Sequence, residues 1–183
     1  KEYFRKDGTR VPVLIGATNF PHLPDQGVAF VIDIAERKQA EAELRLQSAA
    51  LNAAANIIVI TDRNGTIEWV NPAFTALTGY RAEEAVGKDH RELVKSGVHD
   101  QLFYRDLWDT ILAGHVWHGE MTNRRKDRSL YTVDQTITSV KGARGVIDHF
   151  ITIQRDLTEQ KRLEAQFLQA QKMEVVGRLA SGI

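Results

Sequence analysis

The stretch Ile57-Ile58-Val59-Ile60-Thr61-Asp62-Arg63-Asn64-Gly65-Thr66-Ile67-Glu68-Trp69-Val70-Asn71-Pro72 decides the fold class. Ile57 to Thr61 is a short run of β-branched residues, the composition of a strand. Asn64-Gly65 supplies a tight hairpin turn, and Ile67 to Val70 returns as the second strand. Asn71 before Pro72 fits a helix N-cap with proline in the first helical position. That short helix carries Phe74 and Leu77 on one face and closes at Gly79.

Working outward, a loop of irregular polarity is expected over Tyr80 to Gly97. Asp100 to Ala113 reads as a helix, with Leu102, Phe103, Leu107, Trp108, Ile111 and Leu112 on its buried side. Three strands follow, at Trp117–Arg125, Leu130–Val140 and His149–Gln154. Together these elements predict an α+β domain: a five-stranded antiparallel sheet with short helices on one face. Its interior is expected to include Ile58, Ile60, Trp69, Phe74, Leu107 and Ile151.

The chain also repeats itself. Lys6-Asp7-Gly8, the alternating run Val11 to Phe20 and Val28 to Asp33 match Lys126-Asp127-Arg128, Leu130 to Val140 and His149 to Ile153. Asp33-Ile34-Ala35-Glu36 matches Asp156-Leu157-Thr158-Glu159. The copies lie about 120 residues apart, so residues 1–35 read as the closing strands of an earlier, truncated unit. Residues 36–54 read as a helical linker, 55–158 as a complete unit and 159–183 as an outgoing helix. Both helical segments show heptad-like spacing: Ala40, Leu44, Gln47 and Leu51 in one; Leu163, Gln166, Ala170, Met173, Gly177 and Ala180 in the other. Such long amphipathic helices suit a two-helix seam, so a homodimer through the flanking helices is expected.

Composition narrows the function. Apolar residues make up 43% and charged residues 26% of the chain, the balance of a globular protein. Twenty-four basic residues cancel twenty-four acidic ones, with no basic stripe for nucleic acid or an anionic membrane surface. The absence of cysteine removes thiolate metal sites, disulfides and cysteine photochemistry. It agrees with a reducing, cytoplasmic setting. No apolar run approaches the roughly 20 residues that span a bilayer, although Lys1 stands in mid-pattern and a membrane anchor upstream is compatible with that. No phosphate-binding glycine loop, zinc spacing or nucleophile elbow is present, and the six histidines are scattered. Catalysis by this stretch is not expected.

Residues 56–161 resemble a PAS domain of bacterial sensor histidine kinases. The resemblance is carried by Ile60-Thr61-Asp62-Arg63-Asn64-Gly65, Val70-Asn71-Pro72-Ala73-Phe74, Leu77-Thr78-Gly79-Tyr80, Trp117-His118-Gly119-Glu120, Asn123-Arg124-Arg125-Lys126-Asp127 and Asp156-Leu157-Thr158-Glu159. It implies the PAS fold and a sensory role that controls a kinase core of the same chain. Gln171 to Ile183 is similar to the entry of a phosphoacceptor helix, stopping short of the histidine that is phosphorylated in that family. The resemblance further implies that Asp156, Thr158 and Glu159 couple sheet to signalling helix, with Asp33 and Glu36 doing so for the first unit.

The signal is read from the strand Trp117 to Lys126. It is similar to the matching strand of flavin-binding PAS redox sensors such as NifL and Aer, where, the resemblance implies, a tryptophan and an asparagine help hold FAD. Trp117 and Asn123 are six residues apart, hence on one face of the strand. An aromatic wall stacks on a flavin ring and an amide matches its donor–acceptor edge; Trp108 is a further aromatic candidate. Haem is the other option, through His99 just before the long helix, where a histidine is by default a surface or capping residue. A ligand-free dimerisation and relay module is the alternative to a sensor.

Overall fold

A computed structural model describes residues 1–180, without the side chains of residues 23, 24 and 174–180. Ser181-Gly182-Ile183, the end of the stretch similar to a phosphoacceptor helix, lie outside the described residues, and the surroundings of the seam positions Gly177 and Ala180 are likewise not described. The chain divides into two compact units, Lys1–Ala50 and Leu51–Ile183.

The first unit is a three-stranded antiparallel sheet of β1 (Glu2–Phe4), β2 (Arg10–Phe20) and β3 (Leu23–Asp33), leading into helix α1 (Ala35–Ala53). Val11 and Val13 are its buried apolar residues, and α1 buries none.

The second unit carries β4 (Ile57–Asp62), β5 (Ile67–Val70), α2 (Pro72–Thr78), α3 (Ala82–Ala85), α4 (His90–Val94), α5 (Gln101–Leu112), β6 (Trp117–Arg124), β7 (Leu130–Lys141), β8 (Ile147–Asp156) and α6 (Thr158–Ala180). Its five strands form one antiparallel sheet in the order β5-β4-β8-β7-β6. Asn71 is the N-cap of α2: its Oδ1 accepts from Phe74 N–H at 3.2 Å and from Ile58 N–H at 3.0 Å, while its Nδ2 donates to the Asn56 carbonyl at 2.8 Å. One buried amide thus ties strand, helix and chain entry together. Gly79, at φ 77°, closes α2 in the left-handed region.

Three expectations need correction. Leu102 and Leu112, expected on the buried side of α5, are exposed, because the face that meets the sheet is the narrower one of Leu107 and Ile111. The loop over Tyr80 to Gly97 contains α3 and α4; helices of four and five residues are too short to show a helical period. The interior parity of β4 and β8 is the reverse of that expected. Val59, Thr61, Phe150, Thr152 and Gln154 face the helices, whereas Ile60 and Ile151 stand on the outer face, only partly buried, together with exposed Ile153. Trp69 is likewise only half-buried. In β4 a continuous apolar run carries no alternation to read, so its parity follows from pairing with β8.

The core lies on the inner face in two clusters. One joins Leu107 and Ile111 of α5 to Trp117, Met121, Tyr131, Val133, Ile137 and Phe150. The other joins Ile57, Val59, Ile67 and Val70 to Phe74 and Ala85.

Candidate functional site

Between α4, α5 and the inner face of the sheet lies a cavity of about 60 Å³. The walls are apolar where α5 and the sheet meet: Leu107, Trp108, Ile111, Met121, Ile137 and Phe150. Thr61, Asn123, Gln135 and Thr152 enter from the strands, and His90, Tyr104, Asp89, Arg91 and Lys95 complete the lining from the helical side.

Three buried polar atoms of this lining have no hydrogen-bond partner within 3.5 Å: His90 Nε2, Tyr104 Oη and Asn123 Nδ2, the last directed at the hydroxyl of its cross-strand partner Tyr131 from just beyond that distance. Buried polar groups are normally satisfied, so three such atoms around one cavity mark it as a place for a polar guest. Burial pushes the His90 imidazole down to about 4, against the opposing pull of Asp89, so the ring is neutral at pH 7. Hydrogen bonds from Arg91 hold the Asp89 carboxyl below its ordinary range. Burial raises the Tyr104 phenol, which is therefore protonated.

The predicted site residues fall in three places. Asn123 lines the cavity, 1% exposed, and its backbone bridges to Lys95. Trp108 also lines it, with the Arg91 guanidinium 5.0 Å above its ring and Phe150 edge-on at 5.9 Å. Trp117 shares the inner face with Asn123, as the even spacing required, but packs edge-on against Phe103 at 5.6 Å and does not line the cavity. His99 is outside as well: its Nε2 accepts from Thr122 N–H at 2.8 Å, and its ring stacks on Phe103 at 4.1 Å. Sequence reasoning missed His90, Tyr104 and Lys95. The one available signal for His90 was Asp89, whose side chain caps α4 by accepting from Arg91 N–H at 2.8 Å.

A flavin meets a suitable donor here in the unpaired amide of Asn123, but not enough room. At roughly 15 Å³ for each water, the cavity holds about four, far short of a three-ring isoalloxazine. These residues in this arrangement do not fit FAD, nor a haem ligated by an already engaged His99.

At the far end of the same sheet, β8 passes into α6. Asp156 Oδ1 accepts from Thr158 N–H at 2.8 Å and from its hydroxyl at 2.5 Å. Leu157 N–H donates to the Thr132 carbonyl at 2.8 Å, and Thr132 N–H donates to Thr158 Oγ1 at 3.2 Å. Lys161 reaches Glu120 of β6 at 2.9 Å. In the first unit Asp33 accepts from Ala35 N–H at 2.8 Å and pairs with Arg5 at 2.7 Å, while Ile34 N–H donates to the Pro12 carbonyl at 3.0 Å. Glu36 and Glu159 stand exposed in the first turns of α1 and α6.

An antiparallel sheet in this strand order, with short helices closing a pocket on one face and a helix leaving the last strand, defines an α+β sensory-type domain. Residues 55–159 match the PAS domain family, and the chain belongs to it. Among its relatives, the nitrogen fixation regulatory protein of Klebsiella oxytoca is 35% identical over 107 residues, covering 58% of this chain and 21% of that protein. The signal transduction histidine-protein kinase AtoS of Escherichia coli is 27% identical over 169 residues, covering 91% of this chain and 27% of that protein. The chain thus spans about a fifth to a quarter of the length of these relatives. Among solved structures, a PAS domain from Colwellia psychrerythraea superposes with a TM-score of 0.57 at 24% identity, covering 64% of this chain and 98% of that one, and shows the shared fold. Among the described residues no helix is long and apolar enough to cross a membrane.

Proposed function

We propose that this chain is the sensory and regulatory portion of a two-component sensor histidine kinase, in which occupancy of the cavity is relayed through β7 and β8 into α6. The observation that carries the reading is continuity. Gln135, Ile137, Phe150 and Thr152 line the cavity from β7 and β8, and the same two strands hold the start of α6 through Thr132 and Asp156. A guest that shifts these strands therefore acts on the first turn of the helix, whose amides are tied to them. The portion is itself non-catalytic, works in the cytoplasm without nucleic-acid or membrane contact, and hands its signal to a kinase core of the same chain. Replacing Asp156 with Ala in the full-length kinase is expected to leave basal autophosphorylation measurable but abolish its response to the signal. A fully regulated variant overturns the relay.

The second reading, a ligand-free dimerisation and relay module, is favoured by the exposed apolar residues of the flanking helices: Leu44 and Leu51 in α1, Leu163, Phe167, Leu168 and Met173 in α6. Homodimer pairing through these helices serves both readings. Purified chain separates the two. Denaturation followed by mass spectrometry and absorbance measurement releases a small molecule if the cavity is a sensor site and nothing if it is only a relay. Flavin absorbance would mean that the cavity opens well beyond 60 Å³.

A further inference from the structure

From the cavity's lining we infer that it takes a short-chain monocarboxylate, of about two to three carbons, held by Asn123, Tyr104 and His90 with Lys95 at its rim. This rests on the sensor reading above and names the chemical class of the guest.

Three properties converge on that class. Room is the first: about 60 Å³ accommodates about four waters, or a comparable number of heavy atoms. Polarity is the second. Asn123 Nδ2 can only donate, the protonated Tyr104 hydroxyl donates without hindrance, and the neutral His90 ring donates from Nε2 in one tautomer. The Asn123 amide has the Tyr131 hydroxyl of the paired strand beside it, which leaves the Tyr104 hydroxyl and the His90 N–H as donors facing no acceptor; they ask for an oxygen-rich guest with several lone pairs, which a carboxylate supplies. Charge is the third. The lining brings Arg91 and Lys95 against the single carboxylate of Asp89, one positive charge in excess. Arg91 is committed to Asp89, whereas the Lys95 ammonium lies over the Tyr104 ring at 4.7 Å, beside one of the unpaired donors. The remaining wall, Leu107, Ile111, Met121, Ile137 and Phe150, suits a short alkyl tail.

The chain contains two methionines, Met121 in the cavity wall and Met173, 70% exposed on α6. Methyl NMR of the ¹³C-methionine-labelled full chain therefore reports the cavity against an internal control. Titration with propionate is expected to shift the Met121 methyl saturably and leave Met173 in place, with hexanoate failing to do so. Tyr104→Phe and Asn123→Ala are each expected to weaken propionate binding about tenfold. Lys95→Gln should weaken propionate but leave propionamide unchanged. If propionamide binds the unaltered chain as well as propionate does, the carboxylate class falls and the sensor reading stands. If no titrant moves Met121 and no small molecule is released on denaturation, both fall.

Discussion

The hairpin of β2 and β3 and that of β7 and β8 share one backbone plan and carry two different surfaces. Asp7 accepts from the amide and hydroxyl of Thr9, and Asp127 does the same with Ser129, at 2.9 and 2.6 Å in both cases. Arg5 N–H donates to the Thr9 carbonyl as Arg125 N–H does to that of Ser129. Val13 pairs with Asp33 as Val133 pairs with Asp156, and each aspartate turns the chain into a helix. Yet where the first hairpin pairs Ile15 with Val31 and Ala17 with Ala29, the second pairs Gln135 with Gln154 and Ile137 with Thr152. Gln154 Nε2 donates to Gln135 Oε1 at 2.7 Å, fully buried. Turn and junction residues hold the plan, which leaves the faces free to diverge; a polar cavity is built on the second face.

That contrast can be broken most forcefully at Asn71, which has no counterpart in the first hairpin. Asn71→Ala removes the side-chain cap of α2 and strands the buried Ile58 amide, while Phe74 N–H keeps the Asn71 carbonyl at 3.1 Å; it is expected to cost the second unit about 2 kcal/mol. Denaturant unfolding monitored per residue by NMR should show that loss in residues 51–180 and none in the first sheet.

Acid is the next lever. The His90 imidazole binds its proton near pH 4 in the folded unit but near 6.5 when unfolded, so the unfolded state takes up the proton first. Stability is then full above pH 6.5 and falls as the pH drops from 6.5 to 4, by roughly 2–3 kcal/mol. Thermal unfolding of the second unit over that range measures it, and His90→Gln should flatten the slope.

At the junctions the two units ought to respond alike. Asp33→Ala and Asp156→Ala each remove one acceptor from a helix start and should loosen the first turns of α1 and α6 to a similar extent. A clear inequality between them in hydrogen exchange of the first turns of α1 and α6 would show that the shared geometry is not shared energetics. The smallest effect sharpens the turn. Gly8 has φ 86°, and its counterpart Arg128 has φ 72° despite its Cβ. Arg128→Gly is expected to stabilise the second unit by about 0.5–1 kcal/mol, and Gly8→Arg to destabilise the first by a similar amount, read as opposite shifts in denaturant midpoint.

Much of this architecture is legible in residues whose effect is local. Asn64-Gly65, Asn71-Pro72, Gly79 and the repeated Asp-x-Thr/Ala-Glu act within a few residues of themselves, so the hairpin, the α2 cap and both helix starts can be read directly. The parity of Trp117 and Asn123 is legible for the same reason. What Trp117 touches is not, because Phe103, which occupies its flank, comes from another element. Ile57 to Ile60 are all apolar, and nothing in the run says which side meets the helices. The unpaired atoms of His90, Tyr104 and Asn123 are the least legible of all. Each is an ordinary polar residue until α4, α5 and β6 bring them around one small space.

Trp108 stands in the wall of that space, with a guanidinium on its face, Phe150 at its edge and its ring so close to the Gly65 turn that a Cβ on Gly65 would lie 3.4–3.6 Å from the indole. An indole so placed between a fixed cation and a changing interior feels any new charge as an altered electric field. Its fluorescence is thus a native optical gauge of the chamber, needing no label and built into the same wall that meets the guest.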